Sequence, residues 1–234
     1  MLVDIEAVGG VRILRMQGGA ENRFNRDFVA ALDEALDRIE ADPTAGAVVF
    51  TGADEKYFCN GLDLSWLLTQ PREAMAPFLI DLNRFLRRAL LFPRPTVAAI
   101  NGHAFAGGLL LACCADWRTM RSDRGWCCLP EVTLGIDLPP GSVALVQRVI
   151  GPRRTDYLFQ TARRIAAAEA LAMGLVDEIA ALPDLIGKSI VMARELAAKP
   201  QAKYADHKRQ LRALPARIMA EEDEAFIRGN LGQK

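Results

Sequence analysis

Two stretches of the chain put glycines where backbone amides could do chemistry. In "FCNGLDLSW", Gly61 follows an aromatic-Cys-Asn entry and precedes residues of helical character. In "NGHAFAGGLLLACC", a polar Asn101-Gly102 turn runs into Gly107-Gly108 and then an apolar segment. A glycine at a helix start leaves its backbone N–H uncovered, and the first N–H groups of a helix have no partner within it. Such a start attracts negative charge. Two of these donors meeting on one oxygen would make an oxyanion hole. Alone, either glycine is weak evidence, because a glycine at a turn is usually just a turn residue.

The elements that must carry these turns can be read from periodicity. "MLVDIEAVGGVRILRMQ" predicts a hairpin around Gly9-Gly10. "NRDFVAALDEALDRIEADP" has Phe28, Leu32, Leu36 and Ile39 at helical spacing, with Asn25 as cap and Pro43 beyond the end. "GAVVFTG" and "TVAAING" read as strands buried on both faces, with a helix from Pro71 to Leu91 between them. "DWRTMRSDRGWCCLPEVTLGI" gives short strands and turns. Helices are expected over Ser142–Ile150 and Arg153–Thr161, and from Ala167 onward. Thr96 to Ala115 is nearly long and apolar enough to span a membrane, but its glycine turns break it into strand, turn and helix. The class is therefore α/β: recurring strand-strand-helix units closed by a helical tail.

Composition narrows the function. Among 234 residues, Lys+Arg and Asp+Glu both total 29. Bulk binding to nucleic acid or anionic membrane needs a basic excess that this balance lacks. A near-neutral surface tolerates self-association. Cys59, Cys113, Cys114, Cys127 and Cys128 form no Cys-x-x-Cys, and His103 and His207 are the only histidines. Neither a disulfide framework nor a metal site reads from that set. Asp4 and Glu6 stand where a secretion signal would be basic and then apolar, so reduced thiols and a cytoplasmic location are expected.

"FCNGLDL", "AAINGHAFAGGLLLA" and "LPEVTLGI", in this order and spacing, resemble the crotonase superfamily, the enoyl-CoA hydratases and isomerases. The resemblance covers roughly residues 1–190, and "RRIAAAEALAMGLVDEI" looks like the family's stretch before its C-terminal helices. It implies a spiral of strand-strand-helix turns over 1–190 and a helical trimerisation region over 191–234. It also implies an acyl-CoA thioester substrate, a homotrimer or hexamer, and a place in lipid metabolism such as fatty acid β-oxidation. No metal or redox cofactor is implied; coenzyme A enters as part of the substrate. The oxyanion donors fall on the backbone N–H of Leu62 and Gly107, in turns that also contain Gly61 and Gly108. A side chain at Gly107 is expected to fill space the thioester needs.

The family's hydratases use two glutamates. By position these are Leu110, three residues beyond the oxyanion glycine, and Glu131 in the "PE" step. One carboxylate is present and the other absent. Adding water needs the water held and a proton supplied next door; Leu110 cannot accept a hydrogen bond. Moving a double bond needs one base, which Glu131 would provide, with Leu129, Val132 and Leu134 expected to raise its pKa by desolvation. "RMQGGAENRFN", "FCNGLDLSW" and "MRSDRGWCCLPEVTLGI" look most like the 3-enoyl-CoA to trans-2-enoyl-CoA isomerases.

Further roles follow from the resemblance. Asn60 would offer its backbone carbonyl to the adenine, and Asp63 would hold the Leu62 loop or touch substrate. Arg23 and Lys208 could meet CoA phosphates, with solvent exposure as the alternative. Asp137 could line the acyl pocket as a second acid, or cap the next helix. Cys127 and Cys128 could form pocket wall, and His103 would be packed in its turn. Rival readings are another CoA-thioester reaction (hydratase, hydrolase or decarboxylase) or a non-catalytic acyl-CoA-binding protein.

Overall fold

The computed structural model describes residues 1–19 and 21–232. β1 (Val3–Val8) and β2 (Val11–Met16) form the expected antiparallel hairpin, turned at Gly9 with φ +62°. α1 (Arg26–Ala41) follows, and the Asn25 side chain accepts the Phe28 N–H at its start. Phe28, Leu32, Leu36 and Ile39 all face the core, as their spacing requires.

Three turns of one pattern then wind on. Each lays down a strand in a large sheet, a strand in a small sheet, and then helix. The first is β3 (Ala47–Gly52), β4 (Tyr57–Cys59), α2 (Leu64–Leu67) and α3 (Arg72–Leu91). The second is β5 (Thr96–Ile100), β6 (His103–Phe105) and α4 (Gly107–Cys114). The third is β7 (Trp117–Arg121), β8 (Cys127–Cys128), α5 (Glu131–Leu134), α6 (Pro140–Ile150) and α7 (Pro152–Thr161). With β9 (Glu178–Ala180) from later in the chain, the large sheet runs β1-β2-β3-β5-β7-β9 and the small one β4-β6-β8; apart from the hairpin, every pair is parallel.

β3 and β5 are buried at every position. One face of the large sheet packs with α1, α3 and α4 in the main core. The other face carries Ile13, Val49 and Val97 against Leu185 and Ala193 of α9 (Leu182–Ala197). Burial on both faces explains the unbroken apolar runs. No helix among the described residues is long and apolar enough to cross a membrane, and residues 96–115 are β5, β6 and α4.

Two expectations change. The segment from Ala167 is not all helix: α8 (Ala167–Ala172) leads into β9 (Glu178–Ala180), which adds in parallel to the edge strand β7. A boundary at 190 would cut α9, whose Leu185, Ser189 and Ala193 are buried in one continuous helix. α10 (Gln201–Leu211), α11 (Ala213–Glu221) and α12 (Asp223–Gly232) close the chain. They are pinned to the core by ion pairs from Lys208 (2.6 Å) and Arg212 to Asp116, at the start of β7. Arg212 also donates to the carbonyls of Leu90 (2.5 Å) and Cys114 (2.7 Å), the last turns of α3 and α4.

Candidate active site

The small sheet does the positioning. β4, β6 and β8 run parallel as neighbours, with β6 in the middle, so their C-terminal ends reach the same edge. Leu62 lies three residues beyond Cys59, Gly107 two beyond Phe105, and Glu131 three beyond Cys128. The space outside the carboxyl ends of parallel strands is where α/β sheets place ligands.

The Leu62 amide is aimed by its neighbours. Phe24 N–H donates to Gly61 O at 2.7 Å, and Asp63 N–H donates to Phe24 O at 3.0 Å. These bonds make a parallel bridge between Phe24 and Leu62, built on the residues flanking Leu62. The N–H of Leu62 itself therefore faces away from Phe24. Gly61 makes the turn possible, with φ +76°. A Cβ there would lie 2.7 Å from Phe105 O and 2.9 Å from Gly107 N, so the two loops touch at this point.

The second amide is aimed by strain. Ala106, the N-cap of α4, has φ 47° and ψ −125°, a conformation that side chains rarely adopt. Its own N–H is tied to Cys128 O at 2.9 Å. The flipped backbone after it presents the Gly107 N–H, which as the first helical amide has no acceptor inside α4. Two main-chain donors thus sit on abutting loops, one at the N-terminus of an eight-residue helix.

Glu131 is the first residue of α5. The Gly135 N–H closes this short helix onto Glu131 O, with Gly135 left-handed at φ +65°. The Glu131 side chain turns inward and is 8% exposed, and its Oε2 has no hydrogen-bond partner. Burial pushes its carboxyl up to about 7, opposed only in part by its own backbone N–H. A buried, unpaired acid is costly to keep ionised, and such groups concentrate at functional sites. The expected source of desolvation was partly wrong. Leu129 is buried, but Val132 and Leu134 are 59% and 51% exposed, because α5 points them outward as it points Glu131 in.

Leu110 is buried on the first turn of α4, an aliphatic group where a second acid would stand. Asp63 accepts the Trp66 N–H at 3.1 Å and so caps α2, holding the loop that presents Leu62. Asn60 donates its side-chain amide to Glu21 Oε2 at 2.6 Å, and Arg23 pairs with the same carboxylate at 2.5 Å while remaining partly exposed. Glu21, which sequence reasoning passed over inside "RMQGGAENRFN", therefore organises both residues. Hydrogen bonds to Asn60 and Arg23 hold its carboxyl below the ordinary range in spite of the opposing effect of burial.

Several expectations need correction. Lys208 is neither a phosphate contact nor exposed. It is 3% exposed, and its three donors are used by Phe92 O (2.9 Å), Arg94 O (2.7 Å) and Asp116. Gly108 is a packing glycine: a Cβ would sit 2.1 Å from Cys59 O, where α4 crosses β4. A Cβ on Gly107 would press on the Phe24 ring at 3.1 Å, so that glycine makes room for Phe24. Asp137 is exposed and caps nothing, since the N-cap of α6 is Pro139. His103 lies on β6, where its Nδ1 accepts the Trp126 N–H at 3.2 Å. Burial raises the Cys128 thiol to about 11, with the nearby Glu131 adding to it, and raises Cys127 further, so neither is poised as a nucleophile.

The family model described as enoyl-CoA hydratase/isomerase matches residues 6–226, well past the limit of about 190 read from the motifs. "Enoyl-CoA delta isomerase 2, peroxisomal" of Arabidopsis thaliana is 34% identical over 203 residues, covering 83% of this chain and 85% of that protein. "Short-chain-enoyl-CoA hydratase" of Clostridium acetobutylicum is 33% identical over 198 residues, covering 84% and 74%. The crystal structure of human mitochondrial delta3-delta2-enoyl-CoA isomerase matches with a TM-score of 0.95 over 99% of this chain and 91% of that one. At 23% identity, that last likeness is one of fold.

Proposed function

The chain belongs to the enoyl-CoA hydratase/isomerase family, and we propose that within it the chain moves a double bond of an acyl-CoA thioester from position 3 to trans-2. Ionised Glu131 takes a proton from C2. The electron pair left behind spreads onto the thioester oxygen, which the N–H groups of Leu62 and Gly107 receive. These donors act more strongly on the developing enolate than on the neutral carbonyl, each by about 3–4 kcal/mol in comparable sites. Protonated Glu131 then returns the proton to C4, and the double bond settles between C2 and C3. The product is conjugated with the thioester, which drives the reaction. Coenzyme A is carried by the substrate, with the Asn60 carbonyl and Arg23 offered to its nucleotide.

The observation that carries this reading is the solitary buried carboxyl of Glu131, with aliphatic Leu110 in place of a second acid. A carboxyl raised to about 7 is a stronger base than an ordinary one, and about half of it is ionised at neutral pH. The competing reading is hydration, favoured by the hydratase name of a relative almost as similar. Purified protein incubated with 3-hexenoyl-CoA and with crotonyl-CoA separates them. Conjugated enoyl absorbance growing from the first, with little water added to the second, is the isomerase result. Hydration of crotonyl-CoA at a comparable rate would overturn it.

For the assembly we propose a homotrimer or hexamer, which would cover Val191, Leu211 and Leu214, now exposed on the C-terminal helices. We place the protein in the cytoplasm, whose reducing conditions suit five free buried cysteines.

A further inference from the structure

Asp223 opens α12 and is 0% exposed. Its Oδ1 accepts the N–H of Gly141 at 2.8 Å, while its Oδ2 has no hydrogen-bond partner. Gly141 is the second residue of α6, a helix that lacks any local cap. Its N-cap, Pro139, carries no polar side chain, and Pro140 has no N–H. The Gly141 amide is thus the first donor α6 offers, and its acceptor comes from the far C-terminus of the chain. The approach is close: a Cβ on Gly141 would sit 2.4 Å from Asp223 Oδ2 and 2.4 Å from Met219 Cγ.

The start of α6 is also the far anchor of the segment that carries Glu131. Residues 132–135 and 137 are exposed, and the segment's own hydrogen bonds are local, including Ile136 N–H to Glu131 O at 3.0 Å. Pro139-Pro140 is a stiff link. A shift of α6 therefore passes to Ile136, and through that bond to Glu131.

We infer that Asp223 is a positioning residue: by capping α6 from α12, it holds the Glu131 segment so that the Glu131 carboxyl stays turned into the site. The inference rests on Glu131 acting as the base. Burial pushes the Asp223 carboxyl above its ordinary range, opposed by the Gly141 N–H, and an asparagine there would keep an oxygen for that N–H.

The test is Asp223→Ala, with kcat and KM on 3-hexenoyl-CoA and the titration of the Glu131 carboxyl by carbon NMR. Without the cap, kcat falls by about tenfold or more while KM holds, the scale set by small misplacements of reacting groups. The Glu131 carboxyl, gaining water, titrates below about 7, toward 4.5. Asp223→Asn, which keeps an oxygen for Gly141, recovers most of the lost kcat. If Asp223→Ala does not fold, Asp223→Ser keeps a polar group in the pocket but falls short of Gly141, and carries the same expectation. A folded Ala or Ser variant whose Glu131 still titrates near 7 overturns the inference, whatever its kcat. The NMR reading does not depend on which enoyl-CoA reaction the protein catalyses, so failure of the isomerase reading would be seen separately in the unmodified protein.

Discussion

Replacing Glu131 by glutamine should abolish activity and, above neutral pH, stabilise the fold. The ordinary glutamate value is 4.5, and burial lifts this one to about 7. Between those values the folded chain holds a proton that the unfolded chain has released. The stability contributed by this group is therefore complete below pH 4.5 and is lost as pH rises through 7. At about 1.4 kcal/mol per pH unit, the full loss is about 3 kcal/mol, and the group is too buried for solvent to screen most of it. Glutamine is neutral at every pH and nearly the same shape. Glu131→Gln should thus nearly match the parent protein in urea unfolding at about pH 4 and exceed it by up to about 3 kcal/mol at about pH 8 to 9. Other titrating groups are common to both proteins and cancel in the difference. The same variant should lose at least about a hundredfold in kcat, the scale of a missing acid–base group. A stability gap that does not grow with pH, or one of opposite sign, would refute the argument that burial without a partner sets the base.

Gly61→Ala forces a side chain into a φ of +76° and toward Phe105 O, so it should cost about 2 kcal/mol of stability. It should also lower kcat about a hundredfold, by turning the Leu62 amide, in a steady-state assay. Asp116→Ala leaves Lys208 and Arg212 buried without their counter-charge, and a loss of about 3–5 kcal/mol in denaturant unfolding is expected. Leu110→Glu supplies the absent second acid; measurable water addition to crotonyl-CoA should appear, read by loss of enoyl absorbance.

What the sequence disclosed depended on how local its cause was. α1 was legible because cap, period and stop all lie within it, and β3 and β5 because burial on both faces leaves an apolar run. The glycine turns were legible as turns, and the resemblance of three ordered motifs identified the family. β9 was not legible: "EIA" is three residues within an alanine-rich stretch, and only the open edge of β7 makes it a strand. Lys208 read as a CoA-phosphate contact, or else as an exposed lysine, because its partner Asp116 is distant in sequence. The strain at Ala106 left no trace, since alanine is not the residue that such a backbone favours. The inward turn of Glu131 was expected from the motif, but the pattern around it does not announce it. Its exposed neighbours Val132 and Leu134 are the apolar ones, the reverse of what patterning predicts.

The central claim is that one buried carboxyl carries the proton from C2 to C4. It is tested most directly with 3-hexenoyl-CoA deuterated at C2, turned over in ordinary water and read by mass spectrometry of the product. A single carboxyl shielded from solvent returns a substantial share of the label to C4. Product with no deuterium at C4 at the earliest turnover would mean that separate groups remove and supply the proton, and the account would fail.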